Sequence, residues 1–410
     1  MSNNQYGFRT GRSTISALKH VCDVALREKQ KTLKTRKFVA LMALDVKNAF
    51  NSITWKRIMK ELENKKVSAS MRRLVGSYLS DRKLEIDETS MKIMCGVPQD
   101  SVLGPLLWNV AYHEVLQMPL PEGVESIAFA DDLAIIAKKK TEEEIVRTVD
   151  SVLEDVNDWM KRAGLRLAPE KTEAVMLSGR KRYNNTEFHL EDVTITPVKD
   201  VKYLGVIVDK DLSFTKHLVT IADKADKSAA AIGRIMTRFG GTKEARRRLL
   251  TSVVESMMLY ATPVWSKVLQ FQKYKEKAAR TQRKVALKIT RGYRTMSTET
   301  VRVLARVILF ELLAEERILA IGKTVAEKKR LRENIVQKWH DRWRESEAKW
   351  IKRVIPDIRA WYYRTHGEIN YHLAQVLSGH GCFQKYLYRI VHDVYIAAKM
   401  MIPRTLCLYV

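Results

Sequence analysis

The chain has 410 residues, 46% of them hydrophobic, and a formal net charge of +26 at pH 7. This hydrophobic content excludes a disordered tail, and the lack of any run of 18 apolar residues argues against a membrane-spanning segment. The length exceeds that of one ordinary core and predicts two or three domains.

The positive charge is concentrated in the second half of the chain. Residues 1–210 hold 34 Lys and Arg against 29 Asp and Glu, a net charge of +5, whereas residues 211–410 hold 39 against 18, a net charge of +21. A one-sided basic surface usually faces a polyanion, and nucleic acid is the commonest. The alternative on charge alone is a merely soluble basic protein.

The four cysteines are widely separated and form no C-x-x-C pair. We therefore expect neither a disulfide framework nor a zinc site, and we expect a reducing compartment, the nucleus or the cytoplasm. The first residues lack the basic and apolar regions of a secretory signal, so secretion is not expected. The cysteines are Cys22, Cys95, Cys382 and Cys407.

Hydrophobic periodicity predicts alternating helices and short strands over the first 210 residues. A nearly continuous apolar run predicts a buried strand at Phe38–Leu44. Ser101–Gln117 is apolar enough for a buried helix, which Pro105 starts or kinks. The other elements expected before residue 100 are helices at Ala17–Lys29, Thr54–Glu63 and 67–80, and extended chain at 83–95.

Two later elements have clearer signatures. In Ile127–Ile136, two short apolar segments flank two acids, which predicts a hairpin with the acids at its turn. Thr141–Ala163 is the clearest helix in the sequence, because Thr141 and Glu144 form a capping box and Gly164 ends it. Short strands are expected at Thr172–Ser178, Val193–Thr196 and Lys202–Val208.

The hydrophobic pattern and the charge of the sequence change near residue 215. Residues 217–337 read as amphipathic, basic helices with one break at 261–264, which predicts an all-helical domain after a mixed one. Seven cations within 273–288 have spacings that favour a phosphate-binding stripe over a solvated surface. Trp339, Trp343 and Trp350 are expected on one side of a helix, where a buried helix face is favoured over base stacking. The seven cations are Lys273, Lys275, Lys277, Arg280, Arg283, Lys284 and Lys288.

Three acids at the ends of apolar strands are the candidate catalytic groups. Asp131 and Asp132 are adjacent inside an apolar hairpin, where like charges repel, and a divalent cation such as Mg²⁺ would remove that cost. Asp45 ends another apolar strand. If the strands are neighbours, the three carboxylates converge on one edge and can hold two metal ions for an in-line phosphoryl displacement. The alternative for Asp131 and Asp132 is an ordinary turn, since turns favour Asp.

A series of ordered motifs resembles the reverse transcriptases. The palm and fingers motifs are Gln5–Thr14, Asp45–Ser52, Gly96–Pro105, Phe129–Asp132, Gly164–Lys171 and Tyr203–Val206. Further matching segments are Tyr293–Ser297, Ile355–Ile358, His366–Asn370 and Gly379–Phe383. The whole series most resembles the non-LTR (LINE-type) retrotransposon polymerases of insects. The downstream segments argue against a group II intron or telomerase relative.

The resemblance implies an α+β fold with a polymerase palm, which is an antiparallel sheet with helices on one face. Partial fingers would precede the palm, and an all-helical basic thumb and a C-terminal region would follow it. The implied division is partial fingers 1–37, palm with the rest of the fingers 38–210, thumb 211–300, helical C-terminal region 301–389 and divergent tail 390–410. On this resemblance the chain begins inside the fingers, without upstream strands or an endonuclease domain.

The resemblance also implies residue roles. Asp45 and Asp131 would bind two divalent cations, Mg²⁺ or Mn²⁺, with Asp132 in support. Phe50 would lie under the sugar and exclude a 2′-hydroxyl, although a plain core role is the alternative. Lys171 would protonate or neutralise the leaving pyrophosphate, with a solvated surface lysine as the alternative. The other implied contacts are Gln99 to the nucleotide or template, Arg9 and Arg12 to the triphosphate, and Leu204 with Gly205 in the turn that supports the primer end.

Two positions depart from the family pattern. Asp100 replaces a motif glycine; its backbone geometry is tolerable for Asp, but its negative charge beside template and triphosphate predicts reduced activity. The zinc knuckle of the family lacks its second nearby cysteine here, so no zinc is expected. The residues concerned are His372, His380, Cys382 and His392, with Cys407 too far away.

The expected function is therefore that of an RNA-directed DNA polymerase. Its partners would be an RNA template, a DNA primer and dNTPs, without a membrane. The alternative is a catalytically impaired retrotransposon remnant that acts as a basic nucleic-acid-binding protein, which Asp100 and the partial fingers favour. Primer extension on an RNA template separates the two.

Overall fold

The computed structural model describes residues 2–86, 89–177, 186–236 and 243–380. The chain separates into two compact units, Met1–His217 and Leu218–Val410. The expected tail at 390–410 lies outside the described residues, as do Cys382, His392 and Cys407. Within the described ranges, no helix is long and apolar enough to cross a membrane.

A four-stranded antiparallel sheet forms the centre of the first unit, with strand order β4-β5-β1-β6. Three two-stranded hairpins, β2-β3, β7-β8 and β9-β10, accompany it. The strands are β1 (Phe38–Leu44), β2 (Lys83–Ile86), β3 (Thr89–Lys92), β4 (Val124–Phe129), β5 (Asp132–Lys139), β6 (Glu173–Met176), β7 (Phe188–Leu190), β8 (Val193–Ile195), β9 (Asp200–Tyr203) and β10 (Val206–Asp209).

The described part of the first unit has six helices, two of which pack on the central sheet. The six helices are α1 (Thr14–Lys29), α2 (Ala49–Ser52), α3 (Trp55–Asn64), α4 (Ala69–Leu79), α5 (Gly104–Ala111) and α6 (Glu142–Ala163), with 3₁₀ turns at Val115–Gln117 and Pro169–Lys171. Helix α6 packs on β1 and β5, and α1 packs on β1 and β4. Because successive strand residues point to opposite faces, the burial of Leu41 and Met42 alike shows that both faces are covered. The α+β class with an antiparallel palm-type sheet is thus confirmed, and the cover extends beyond one face.

Several local predictions are confirmed by the structure. Strand β1 has the predicted bounds, Phe38–Leu44. Helix α6 begins after Thr141, whose hydroxyl accepts from the Glu144 N–H while the Glu144 carboxylate accepts from the Thr141 N–H. It ends at Gly164, which has a φ of +80°. The capping box and the terminal glycine act within a few residues, so packing against the rest of the chain does not change the helix ends that they predict.

Other predicted elements were wrong in extent. The helix expected over Ser101–Gln117 begins at Gly104, with Pro105 in its first turn, but ends at Ala111. The single strand expected over Lys202–Val208 is a hairpin, because Leu204 and Gly205, with φ of +44° and +80°, reverse the chain. Strand β7 was not predicted.

The second unit is helical throughout the part that the structure describes, and α7 leads into it. Its helices are α7 (Thr215–Arg234), α8 (Glu244–Leu259), α9 (Thr262–Trp265), α10 (Gln272–Thr290), α11 (Thr298–Ala305), α12 (Phe310–Leu319), α13 (Val325–Glu345), α14 (Lys349–Val354), α15 (Ile358–Tyr363) and α16 (Tyr371–Ser378), with a 3₁₀ turn at Ser266–Gln270. The predicted break at 261–264 is present, because Ala261 has a φ of +51°. The prediction of a single break was wrong, since several short helices follow.

The tryptophan prediction is confirmed for two of the three residues. Trp339 and Trp343 on α13 are each 3% exposed and belong to the core. Trp350 lies on a different helix, α14, and is exposed. The expectation that all three share one helix side was wrong, because the chain leaves α13 at Ser346.

A buried histidine at the end of the first unit predicts a pH-dependent stability. His217 is 1% exposed, and its Nδ1 accepts from the Ile207 N–H at 3.3 Å. Burial lowers the pKa of His217 to about 4. The unfolded chain takes up this proton near pH 6.5 and the folded chain only near pH 4. The free energy of unfolding should therefore fall as the pH falls between these values, by about 2 kcal/mol at pH 5.

Urea unfolding of wild type and His217→Asn at pH 7 and pH 5 tests this expectation. Asparagine keeps an acceptor for Ile207 but takes up no proton, so the variant should lose less stability between the two pH values. An equal loss in both proteins would show that His217 does not titrate in this range.

Candidate active site

Three carboxylates lie at one edge of the central sheet. In the antiparallel β1–β5 ladder Leu44 pairs with Leu133, so the same register places Asp45, which follows Leu44, opposite Asp132, which precedes Leu133. Asp131 occupies the turn just before β5, because β4 ends at Phe129 and β5 begins at Asp132. The structure therefore brings together the three acids that the sequence singled out.

The three negative charges act on one another. Burial raises the pKa of Asp131, and the Asp45 carboxylate raises it further. Burial also raises the pKa of Asp132 to about 6, with further increases from Asp131 and Asp45. Asp132 nevertheless stands at an exposed rim, so solvent screens part of this repulsion. The cluster carries excess negative charge that a bound cation would compensate.

Lys171 reaches the same cluster. The Asp45 carbonyl accepts from the Ala168 N–H at 2.8 Å, which holds the segment that follows Gly164 beside the end of β1. In this position the Lys171 Nζ lies 3.5 Å from Asp45 Oδ2. The two side chains are 67% and 44% exposed, and such an exposed pair contributes at most about 1 kcal/mol. A stronger ligand of either group can displace it.

Two buried tyrosines, Tyr112 and Tyr203, lie near the acids and are uncharged. Burial raises the pKa of Tyr112, and Asp131 and Asp132 raise it further. Burial likewise raises the pKa of Tyr203, with an added effect of Asp132. Both phenols thus stay protonated at neutral pH and add no negative charge to the cluster.

The carboxylates fit a divalent cation by their chemistry. Carboxylate oxygens are hard ligands of the kind that Mg²⁺ and Mn²⁺ prefer, and burial together with the neighbouring acids raises the pKa values of Asp131 and Asp132. As placed, the side chains do not surround a single point. Within residues 2–86, 89–177, 186–236 and 243–380, no group of three or more His, Cys, Asp or Glu side chains is arranged to hold a metal ion.

Phe50 lies within a row of aromatic rings, between Phe8 and Trp108. It lies on α2, a few residues beyond Asp45, and its ring centroid is 4.7 Å from that of Trp108 and 6.3 Å from that of Phe8. Trp108 in turn stacks on Tyr112 at 5.0 Å. Trp108 and Tyr112 are fully buried, whereas Phe50 is half-buried. Phe50 is therefore anchored by the core on one side and accessible on another.

The loop before α5 is tied to the same helix α2. The Val97 N–H donates to the Phe50 carbonyl at 2.7 Å, which fixes the start of the predicted second motif. Gln99 and Asp100 follow as exposed residues. Asp100 has a φ of +56°, a left-handed conformation that suits glycine and explains why the resembling motif has Gly at this position.

Two arginines are not brought to the acids. The Arg9 guanidinium donates to the Ser2 carbonyl. The Arg12 guanidinium donates to the Asn3 carbonyl and lies 4.8 Å from the Tyr6 ring centroid. As placed, both bind the first residues of the chain, so their expected contact with a triphosphate stays a prediction.

Sequence reasoning gave no role to Gln5, which is buried and bonded to the turn that carries Asp131. Its position inside the first resembling segment was the available signal. Its partner is more than a hundred residues away, which no local pattern indicates.

Comparisons with known proteins show what the chain resembles. Residues 1–208 match the family model described as reverse transcriptase (RNA-dependent DNA polymerase). The chain is 25% identical over 413 residues to a putative 115 kDa protein in type-1 retrotransposable element R1DM of Drosophila melanogaster, covering 94% of this chain and 39% of that protein. It is 26% identical over 323 residues to a retrovirus-related Pol polyprotein from type-1 retrotransposable element R1 2 of Nasonia vitripennis, covering 72% and 78%.

Among solved structures, a telomerase from Candida tropicalis matches with a TM-score of 0.40 at 12% identity, covering 81% of this chain and 53% of that chain. The resemblance to insect non-LTR retrotransposon proteins is confirmed by the sequence relatives.

Proposed function

The chain belongs to the reverse transcriptase family, and we propose that it extends a DNA primer on an RNA template as the polymerase of a non-LTR retrotransposon. The observation that carries this proposal is the position of Asp45, Asp131 and Asp132 at one edge of an antiparallel sheet. Metal-assisted phosphoryl transfer needs such a cluster of carboxylates next to a site for the triphosphate.

The three aspartates would hold two divalent cations, Mg²⁺ or Mn²⁺. When bound, such cations supply positive charge that stabilises the attacking and leaving oxygens of an in-line displacement. Asp45 and Asp131 would be the principal ligands, with Asp132 in support. Burial, and to a smaller extent the neighbouring acids, raise the pKa values of Asp131 and Asp132, and a bound cation would offset both effects.

Lys171 would act on the leaving pyrophosphate. Its exposed ion pair with Asp45 is weak, so little free energy opposes a move of the ammonium toward a bound triphosphate. Beside the triphosphate, the Lys171 ammonium would neutralise the negative charge of the leaving pyrophosphate or donate a proton to it.

Phe50 and Gln99 would contact the incoming nucleotide. The half-buried ring of Phe50 is held against Trp108, which supports a fixed surface under the sugar. Gln99 is exposed in the adjoining loop and would contact the nucleotide or the template. Arg9 and Arg12 would have to release their backbone carbonyls to reach a triphosphate. Gly205, in the β9–β10 turn, would support the primer end.

Helices α7 and α10 of the second unit line a basic cleft of about 490 Å³. One acid, Asp226, faces five cations, and it pairs with Lys284 at 2.5 Å. We propose that this cleft contacts phosphates of the template and primer without reading sequence. The predicted stripe is partly neutralised, because Lys277 also pairs with an acid of α7, Asp223. The five cations are Arg283, Lys284, Lys288, Arg291 and Arg294.

The finer division of the chain is likewise proposed. Partial fingers at 1–37, the palm with the rest of the fingers at 38–210, the thumb at 211–300 and the C-terminal region at 301–389 would correspond to the family's parts. We also propose the nucleus or cytoplasm as the location, which the scattered cysteines support.

Primer extension tests the proposal directly. Purified protein is given an RNA template, a labelled DNA primer, dNTPs and Mg²⁺, and extended primer is measured by electrophoresis. Extension by wild type supports the polymerase. Salt-sensitive RNA binding without extension would instead support the alternative, a nucleic-acid-binding remnant.

Asp100 is expected to lower the activity of this polymerase. Asp100→Gly should raise extension about fivefold, because an exposed charge near the triphosphate costs about 1 kcal/mol. Glycine removes the strain of the positive φ, which stabilises the folded chain by about 1 kcal/mol. It also gives the unfolded chain more conformations, which destabilises the folded chain by about 1 kcal/mol, so the free energy of unfolding should hardly change. Single-nucleotide extension kinetics measure the effect.

Asp100→Asn is the matched control for Asp100→Gly. It removes the charge but keeps a side chain that tolerates a positive φ. A rise in both variants identifies charge as the cause, and a rise only in Asp100→Gly identifies backbone strain. If the wild type and both variants extend equally, Asp100 is not inhibitory.

A further inference from the structure

A glutamine near the start of the chain is bonded to the turn that carries Asp131. The Gln5 Nε2 donates to the Ala130 carbonyl at 3.3 Å, and the Gln5 Oε1 accepts from the Ala130 N–H at 3.2 Å. The same Oε1 accepts from the Gly7 N–H at 2.9 Å. Gln5 is 2% exposed. Both backbone polar groups of Ala130 are thus satisfied by one side chain that is 125 residues away in sequence.

The backbone around Gln5 fixes this side chain in register with β4. The Tyr6 N–H donates to the Ala128 carbonyl at 2.7 Å, and the Ala128 N–H donates to the Asn4 carbonyl at 2.9 Å. These two bonds form a parallel bridge between Gln5 and Ala128. The amide of Gln5 therefore reaches the turn from a backbone that is itself hydrogen-bonded to the hairpin.

The turn needs outside support. Ala130 has a φ of +57°, a left-handed conformation that a residue with a β-carbon rarely adopts. Such a conformation persists when its surroundings hold it. The two hydrogen bonds from Gln5 meet that need at Ala130, directly before Asp131.

Gly7 brings a second contact to the same turn. A β-carbon at Gly7 would lie 2.2 Å from the Ala130 nitrogen, so only glycine lets the two backbones approach this closely. The Asn109 Nδ2 donates to the Gly7 carbonyl at 3.0 Å, and Asn109 is buried on α5. Gln5, Gly7 and Asn109 thus form a buried turn clamp against Ala130.

We propose that Gln5 is a positioning residue for the reaction. It holds the Ala130–Asp131 turn so that Asp131 and Asp132 keep their place at the sheet edge that also carries Asp45, and this role rests on the proposed polymerase function. Glutamine suits the task because one amide offers a donor and an acceptor to the two polar groups of Ala130. Misplacement of a catalytic group by about 1 Å costs on the order of a hundredfold in rate.

Two variants of Gln5 test the clamp in the full chain. Gln5→Met keeps the length of the side chain and removes all three hydrogen bonds, so deuterium uptake at the Ala130 amide should rise about tenfold or more. In single-turnover extension kcat should fall about thirtyfold while the KM for dNTP changes less than about threefold. Gln5→Glu keeps the acceptor for the Ala130 and Gly7 amides, so their exchange should stay slow.

A matched control separates positioning from general loss of stability. Gln282 is also buried, at 5% exposure, and its Nε2 donates to the Ile308 carbonyl at 2.6 Å in the second unit. Gln282→Met should lower the urea midpoint as Gln5→Met does, but leave kcat and the Ala130 exchange unchanged. Equal loss of kcat in both variants would overturn the proposal, as would unchanged Ala130 exchange in Gln5→Met.

Failure of the polymerase itself gives a different pattern. If wild type extends no primer, the proposed function fails, while the exchange of the Ala130 amide still decides whether Gln5 holds the turn. Fast exchange in Gln5→Met together with slow exchange in Gln5→Glu would support the clamp in that case too.

Discussion

Asp131→Asn is expected to lower primer extension by at least about a thousandfold without lowering the free energy of unfolding. The amide keeps the size of the side chain but lacks the charge that binds and orients a divalent cation, on which phosphoryl transfer of this kind depends. Loss of a single group that stabilises transition-state charge commonly costs two to three orders of magnitude, and a metal ligand should cost at least as much.

The stability of Asp131→Asn follows from the sign of the pKa shift. Burial and the nearby Asp45 raise the pKa of Asp131 in the folded chain. For an acid, a raised pKa means that the charged form is disfavoured by folding, so the carboxylate costs stability at neutral pH. Removal of the charge should therefore leave the free energy of unfolding unchanged or raise it by up to about 1 kcal/mol, after allowance for solvent screening.

Asp192→Asn is the matched control for Asp131→Asn. Asp192 is also the second residue of a two-residue hairpin turn, between β7 and β8, and the residue before it, Glu191, has a φ of +53°. Extension assays and urea unfolding of both variants measure the two effects. Extension by Asp131→Asn within about tenfold of the control would mean that this carboxylate does not carry the chemistry.

The elements that depend on patterns a few residues long could be predicted from the sequence. Strand β1, the hairpin around Asp131 and Asp132, and the capped helix α6 were all predicted, because apolar runs, turn acids and capping boxes act within a few residues. The convergence of Asp45 with the two hairpin acids followed once β1 and β5 were neighbours. The carboxylate cluster was therefore within reach of pattern reasoning.

Contacts that join distant segments were beyond local patterns. Nothing near Gln5 in the sequence indicates that its amide binds Ala130, which is 125 residues away. The sequence placed Lys277 in a phosphate-binding stripe, yet its ammonium pairs with Asp223 on another helix. Such pairings depend on how elements pack, which periodicity alone leaves open.

Phe50→Val is expected to reduce the discrimination between dNTPs and rNTPs about a hundredfold, which is the range that exclusion of one small group from a shaped site can supply. The Phe50 ring is held 4.7 Å from Trp108 and stays half-buried. Because Trp108 is fully buried and stacked on Tyr112, the ring has a rigid support, and in its proposed role it would not yield to a 2′-hydroxyl. Valine would leave room for that hydroxyl while filling part of the space beside Trp108.

The measurement is the ratio of kcat/KM for single dNTP and rNTP additions, with Phe50→Tyr as the control. Tyrosine keeps the ring, so its discrimination should stay near that of wild type. Phe50→Val also removes buried apolar surface and should cost about 1–2 kcal/mol of stability, read from urea unfolding. If stability falls and discrimination stays within about threefold, Phe50 serves the core and not the site. Urea unfolding thus measures the contribution of the Phe50 ring to core packing, and the ratio of kcat/KM values measures its contribution to the choice between dNTPs and rNTPs.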